Sequence, residues 1–216
     1  MKVIAVMPAY NEEKTISGVV GRSKKHVSSV IVVDDSSTDK TTSLARKSGA
    51  IVIKNRINRG CGYSKRIGIE EALKRGADII VTIDADGQHR PEDIPRFIEK
   101  IGEGYDFVIG RRNIKKYPFI KKFGNFSLNI LTNFLSGTRL ADTESGFKAF
   151  TRKAAKKMNL TADKYAIEAE MAYEVGRNRL KYTSIPIDSP KYRSGVTVIQ
   201  GFQNFWFLVR KKLTLV

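Results

Sequence analysis

The stretch VTIDADGQHRPED, Val81 to Asp93, sets two aspartates one residue apart directly behind Ile79 to Ile83, where four of five residues are apolar. A short apolar run closed by Asp-Gly, with Pro91 just beyond, predicts a buried strand, a turn and a helix start. The chain has 39 Lys and Arg against 22 Asp and Glu, yet it places two like charges where that strand stops. Asp84 and Asp86 are therefore candidate metal ligands as well as a strand stop.

The flanking sequence repeats the same design. KVIAVMPAYNEE is an apolar run ending in Pro and Asn, VSSVIVVDDSSTDKT a second ending in an Asp pair, GAIVIKN a third, GADIIVTIDADG the fourth and YDFVIGRR a fifth. Between them EKTISGVVGRSKKH, DKTTSLARKS, GYSKRIGIEEALKRG and PEDIPRFIEKIGEG each predict a helix of a few turns. Strands alternating with helices predict an α/β fold with a mostly parallel central sheet covered on both faces. Ligands bind such sheets at the carboxyl ends of the strands. That rule gathers Pro8, Ala9, Tyr10, Asn11 and Glu12 after the first strand with Asp34 and Asp35 after the second. Asp84, Asp86 and Gln88 after the fourth join them. Asn58 to Gly62, NRGCG, opens a helix after the third run, where glycines admit a close ligand and a helix N-terminus favours phosphate.

With 216 residues, 41% of them hydrophobic, the chain is long enough to bury a full core. One cysteine, Cys61, excludes an internal disulfide, fits a reducing compartment and reads as a small apolar filler. No signal peptide is evident. The longest strictly apolar runs are about five residues, as in Phe205 to Val209, against the roughly 20 that a spanning helix needs. The expected location is therefore cytoplasmic. His89, beside the aspartates, reads as a solvated loop neighbour. His26 sits at an expected helix end.

The net charge of +17 is unevenly spread. Residues 107–141 carry seven basic side chains and no acidic one, and 189–216 carry five and none. Such segments suggest an anionic partner. In the first, Phe119, Phe123, Phe126, Ile130 and Phe134 recur at helical spacing, with Lys115, Lys116, Lys121 and Lys122 around the start. This describes a helix at about 118–136, lying either on an anionic membrane surface or in a core. GVTVIQGFQNFWFLVRKKLTLV repeats the theme, with Phe202, Phe205, Trp206 and Phe207 before Arg210, Lys211 and Lys212. The expected organisation is one α/β domain over 1–188, in a first half (1–110) and a second half (111–188). A basic amphipathic segment follows over 189–216. Nucleic acid is disfavoured, because base-stacking motifs of RNA modules are absent and the aromatics lie among aliphatic residues.

There is no G-x-G-x-x-G after the first strand and no Walker A loop. In order, PAYNEE, VVDDSSTD, NRGCGYSKRIGI, DADGQHRPED and GRR resemble glycosyltransferase family 2, whose fold is GT-A. With DTESGFKAF, Asp142 to Phe150, the chain is most similar to the dolichyl-phosphate mannose and glucose synthases within that family. The resemblance covers about residues 1–150.

It implies an inverting transferase moving a hexose, mannose before glucose, from GDP-mannose or UDP-glucose to dolichyl or polyprenyl phosphate at the cytoplasmic membrane face. Pro8, Ala9, Tyr10, Glu12, Asp34, Asp35, Asn58, Gly60, Lys65, Asp84, Ala85 and Asp86 would then bind the nucleotide sugar. Asp84, Asp86 and Gln88 would reach Mg2+ or Mn2+, and hard oxygen ligands suit those ions. Arg112, Lys121, Asn125 and Arg193 would face the acceptor phosphate, and Asp84, Asp86, Arg112 and Asp142 would form the catalytic set. The chain departs from the commoner pattern at Lys148, where SGFR is usual, at Lys121 or Lys122, where arginine is common, and at Thr197-Val198, where Ser-Lys is common. Two other readings stay open: transfer to a sugar hydroxyl, with Asp142 or Glu144 as base, and a basic membrane- or RNA-binding module without turnover. A membrane-protein partner or an oligomer is also left open.

Overall fold

In a computed structural model, residues 1–113, 119–188 and 198–214 are described, with the side chains of 119–123, 198–200 and 202 outside the description. The five expected strands form as β1 (Val3–Ala9), β2 (Ser29–Asp34), β3 (Ile51–Lys54), β4 (Ile79–Thr82) and β5 (Phe107–Arg112). The expected helices between them are α1 (Ile16–Ser23), α2 (Thr41–Lys47), α3 (Cys61–Lys74) and α4 (Ile94–Gly102), the last preceded by a 3-10 turn at Pro91–Asp93. The later chain adds α5 (Phe119–Ser136), β6 (Lys148–Thr151), α6 (Arg152–Lys157), α7 (Ala166–Arg177), β7 (Tyr182–Ile187) and α8 (Val198–Thr214).

The seven strands form one sheet in the order β3-β2-β1-β4-β6-β5-β7. All neighbours are parallel except β6, which runs antiparallel to both β4 and β5, pairing Thr82 with Lys148 and Val108 with Ala149. Strand side chains alternate between the faces. Ala5, Met7, Val30, Val32 and Val81 meet α1, α2 and α4 through Ile16, Val20, Ala45 and Phe97. Val6, Ile31, Val33 and Ile80 meet α3, α6 and α7 through Ile69, Ala154, Ile167 and Met171. Reversal of β6 is the feature that matters for function. It brings the start of β6, and the Asp142–Phe147 segment before it, to the edge where β1, β2, β4 and β5 end.

Helices α5, α7 and α8 pack together beside this sheet. Gly176 in α7 lets α5 approach, since a Cβ there would overlap the Ser136 carbonyl. Gly201 in α8 similarly sits against Leu128 of α5. The buried side of α8 is Gly201, Asn204, Leu208 and Lys211, and Leu208 packs with Ala169 and Tyr173 of α7. Lys211 stands in sequence between the basic Arg210 and Lys212, yet it is 7% exposed and pairs with Glu170 and, at 3.3 Å, Glu174. Those acids also accept from the backbone of Thr161, Ala162 and Asn159, so Lys211 ties α8 to α7 and the loop before it.

The apolar face expected of α5 is not spent on the core: Phe126 is 62% and Phe134 79% exposed, with Ile130 between them half exposed. No helix among the described residues is long and apolar enough to cross a membrane. Removing one partner of a buried ion pair costs about 3–5 kcal/mol. Lys211→Met should therefore lower unfolding free energy by about 3 kcal/mol, read by chemical denaturation; a loss below about 1 kcal/mol would mean that packing alone holds α8.

Candidate active site

The first two strand ends are laced together. After β1, Asn11 takes a left-handed conformation (φ 54°) and its N–H donates to Ser37 Oγ at 2.9 Å. The Glu12 N–H donates to Thr41 Oγ1 at 2.7 Å, while Pro8 and Ala9 are buried and Tyr10 is exposed. Asp34 accepts from the Ser37 N–H at 2.8 Å and from the Thr42 hydroxyl. Asp35 accepts from the N–H groups of Gly60 (2.6 Å) and Arg59 (3.1 Å) and from Asn55 Nδ2 (2.8 Å). The paired aspartates thus shape the turn after β2 and hold the loop before α3, which carries exposed Asn58.

The glycines of NRGCG meet protein. A Cβ on Gly60, whose φ is 98°, would lie 2.6 Å from the Asp163 carbonyl, and one on Gly62 2.5 Å from that of Lys164. The close approach that these glycines permit within the protein is that of the 163–164 backbone. Burial pushes the thiol of Cys61 beside them up to about 12, which disfavours the thiolate.

At the end of β4 the aspartates differ. Asp84 has a side chain 36% exposed and lies 3.3 Å from the Nζ of buried Lys65. Burial pushes its carboxyl up, but Lys65 and then His89 overcome this and hold it at about 2. Asp86 accepts from the Gln88 N–H at 2.9 Å and from the Gln88 side-chain amide, and buried Ala85 separates the pair. His89 is 3% exposed, with Nδ1 3.6 Å from Asp84 Oδ2 and its ring 5.3 Å from that of Phe147. The expectation of a solvated neighbour is overturned: the chain after Gly87 folds the imidazole inward. Burial pushes its pKa down despite Asp84.

Gly146 passes so close to Asp84 that a Cβ would collide with its carboxylate oxygens. Thr82 Oγ1 donates to the Gly146 carbonyl at 2.9 Å, which fixes that approach. Among the described residues no three His, Cys, Asp or Glu side chains group as a metal cage. Two carboxylates and the Gln88 amide are a hard oxygen set, which fits Mg2+ or Mn2+ sharing its remaining positions with substrate oxygens and water.

Arg112 ends β5 and meets Asp142 in a two-pronged pair, Nε to Oδ2 at 2.7 Å and Nη2 to Oδ1 at 2.9 Å, while its backbone N–H donates to Oδ2 at 3.1 Å. Although burial raises the Asp142 carboxyl, Arg112 pulls it below the usual range. Nearby is a cleft of about 570 Å3 lined in part by Arg96, Arg111, Arg112 and Asn113.

A buried ion network joins the two sides. Lys65 of α3 and Lys148 of β6 both pair with Glu168 of α7, and Lys148 also donates to the Ser145 carbonyl at 2.6 Å. Glu168 is absent from the residues that the sequence offers as the site. Of the acceptor-side candidates, Asn125 is half-buried on α5, the Lys121 side chain is outside the description, and Arg193 lies outside the described residues.

A parallel sheet broken by one reversed strand, with an aspartate pair one residue apart at the end of β4, defines the GT-A class of sugar transferases. The chain belongs to glycosyl transferase family 2, whose family model matches residues 4–159, and it is a glycosyltransferase. It is 33% identical over 98% of its length, and 96% of the relative's, to UDP-N-acetylglucosamine--dolichyl-phosphate N-acetylglucosaminyltransferase of Methanococcus voltae. It is 26% identical over 93% of its length, and 82% of the relative's, to polyprenol monophosphomannose synthase of Mycolicibacterium smegmatis. Among solved structures it resembles glucosyl-3-phosphoglycerate synthase of Mycobacterium tuberculosis with Mn2+, UDP and phosphoglyceric acid. That match has a TM-score of 0.77 at 21% identity, over 96% of this chain and 78% of the other.

Displacement of a catalytic group by about 1 Å commonly costs about 10²-fold in rate. Gly146→Ala should impose such a shift on Asp84, so turnover should fall by about 10² with an unchanged far-UV circular dichroism spectrum. Turnover within threefold of wild type would show that the carboxylate tolerates displacement.

Proposed function

We propose that this glycosyltransferase moves a hexose or N-acetylhexosamine from a nucleotide diphosphate sugar to a polyprenyl or dolichyl phosphate, with inversion. The observation that carries this reading is the Arg112–Asp142 pair. Two parallel hydrogen bonds orient a guanidinium at the end of β5, and the same bonds occupy both oxygens of the carboxylate that a hydroxyl acceptor would use as a base. A phosphate monoester carries about −1.5 to −2 charge at pH 7, so its oxygen is already a nucleophile. Cations that hold it in line serve it better than a base. The cationic cleft beside Arg112 supports this, as do two relatives whose names share a lipid phosphate acceptor and differ in sugar.

In this reading Asp84 and Asp86, with Gln88, hold a divalent cation and the donor diphosphate. A bound cation would take up negative charge as the anomeric carbon–oxygen bond breaks. Lys65 keeps Asp84 ionised before that ion arrives. Tyr10, Glu12, Asp35 and the Asn58–Gly60 loop border the nucleotide, and Arg112, with Lys121, Asn125 and Arg193, faces the acceptor. Mannose remains the first sugar to test and glucose the second. The Methanococcus relative adds N-acetylglucosamine.

One observation favours the alternative of a sugar hydroxyl: Glu144 is buried near Asp142, and burial together with the Glu168 charge pushes it up to about 7, where a carboxyl can act as a base. Radiolabelled GDP-mannose, UDP-glucose and UDP-N-acetylglucosamine, incubated with dolichyl phosphate and Mn2+, separate the two. Label is expected in the organic phase for one donor, and Asp86→Asn should reduce it by about 10² or more. No label with any donor sinks the lipid-phosphate reading, and undiminished label in Asp86→Asn sinks the metal role.

Phe126, Ile130 and Phe134 on α5, with exposed Trp206 and Leu213 on α8, support peripheral seating on an anionic membrane. Arg210 lies over the Trp206 ring at 5.9 Å, and exposed Lys212 follows it. Binding to vesicles containing phosphatidylserine should weaken with added salt. It should also fall with Lys121→Glu plus Lys122→Glu, by about 1 kcal/mol per lost cation. Binding that ignores both changes would remove the membrane role.

A further inference from the structure

Four charged groups meet behind the aspartate pair, and they could be matched one to one. Lys65 of α3 could close on Asp84 while Lys148 of β6 takes Glu168 of α7, and every charge would be paired. The fold pairs them differently. Lys65 donates its hydrogen bond to Glu168 Oε1 and Lys148 donates to Glu168 Oε2, so one carboxylate takes both lysines. Asp84 Oδ1 is left 3.3 Å from the Lys65 Nζ, and its Oδ2 faces His89 Nδ1 at 3.6 Å. The Asp84 side chain is 36% exposed, against 9% for Glu168. The carboxylate that a ligand can reach thus receives the looser lysine contact, and the one closed off from solvent receives both hydrogen bonds.

Glu168 is held where it can do this. It lies in the first turn of α7, where a helix N-terminus favours an acid. The loop before that helix is fixed from two sides: the Tyr63 N–H of α3 donates to the Asp163 carbonyl at 2.9 Å, and the N–H groups of Thr161 and Ala162 donate to Glu170 of α7, each at 2.9 Å. Lys148 has a second anchor in the Ser145 carbonyl at 2.6 Å. Lys65 is the member with a choice, since its ammonium carries three donors on a flexible stem and stands between two acids.

We propose that Glu168 is a positioning residue of the aspartate site, which draws the Lys65 ammonium back from Asp84 and so leaves that carboxylate open to a divalent cation. This rests on the reading above in which Asp84 and Asp86 hold such an ion. Without the Glu168 charge, Asp84 is the remaining acid that pairs with Lys65. The ammonium then closes on Asp84 and has to be displaced before an ion can bind, because both seek the same carboxylate oxygens. Glu168 touches neither ion nor sugar in this role; it acts through Lys65.

Binding of Mn2+, read by electron paramagnetic resonance at about pH 8 with GDP or UDP present, tests this in wild type, Glu168→Gln, Lys65→Met and the double variant; that pH is about four units above the ordinary aspartate value. Glu168→Gln keeps the shape and loses the charge. It should weaken Mn2+ binding about tenfold, because a charge-assisted hydrogen bond to Asp84 must first be given up. Lys65→Met removes the competitor and leaves Glu168 paired with Lys148, so it should bind Mn2+ more tightly than wild type. In that background Glu168→Gln should change the affinity by less than about twofold. A merely structural glutamate, or one acting by its charge at a distance, would weaken Mn2+ equally in both backgrounds, and that result overturns the proposal. So does a Glu168→Gln that binds Mn2+ as wild type does. Should Glu168→Gln fail to fold, by far-UV circular dichroism, Lys65→Met decides alone, and an affinity no higher than wild type refutes the competition. Wild type that binds no Mn2+ with either nucleotide would instead refute the metal role of the aspartates, whereas bound Mn2+ with equal losses in the two backgrounds refutes only the part given to Glu168.

Discussion

Two buried lysines sharing one buried glutamate hold the site together. Lys65 comes from α3, which follows the NRGCG loop, Lys148 from the reversed strand β6, and Glu168 from α7. A buried charge without a partner costs several kcal/mol, so each of these three groups requires the other two. Lys65 also touches Asp84, and Lys148 also holds the Ser145 carbonyl. The network therefore sets the ionisation of the Asp84 carboxylate and the path of the segment carrying Asp142 and Glu144. Burial pushes Glu168 up, but Lys148 and Lys65 more than offset it, and its folded pKa lies below that of a free glutamate. Stability from this group is present above the unfolded glutamate pKa and is lost as pH falls through the lowered one. Neutral pH leaves it intact.

Much of this architecture is legible in the sequence because its first half is periodic. Five β-branched runs with turn residues at each end read as parallel strands, and the strand-end rule collects Asp84, Asp86, Asp34 and Asp35 without any coordinates. Where reading failed, the cause was burial of charge. Helix α7 carries Glu168, Glu170 and Glu174, and all three are buried because Lys65, Lys148 and Lys211 arrive from distant parts of the chain. No local pattern announces such partners. β6 has only four residues, and its direction is set by a long excursion through α5. The burial of His89 was hidden as well, since what its ring touches, Phe147, lies far off in sequence.

Helix α5 connects the Arg112–Asp142 side of the site to the outer surface through a repeat that composition conceals. Asn125-Phe126, Asn129-Ile130 and Asn133-Phe134 recur every four residues, so asparagines and large apolar residues form adjacent stripes along one helix. The apolar stripe is exposed. The asparagine stripe faces the protein: Asn133 Nδ2 donates to the Leu140 carbonyl at 2.9 Å and its Oδ1 accepts from the Leu140 N–H at 2.9 Å, while Asn129 accepts from Thr143. The loop gripped in this way ends at Asp142, which orients Arg112. Helix α5, whose outer stripe is exposed and apolar, thus positions the Arg112 guanidinium through its neighbouring stripe. Rotating α5 by one residue, about 100°, would bury the phenylalanines and release the loop together. The apolar stripe and Arg112 are therefore constrained by the same backbone, and an exposed aromatic face stands beside a site built from buried charge.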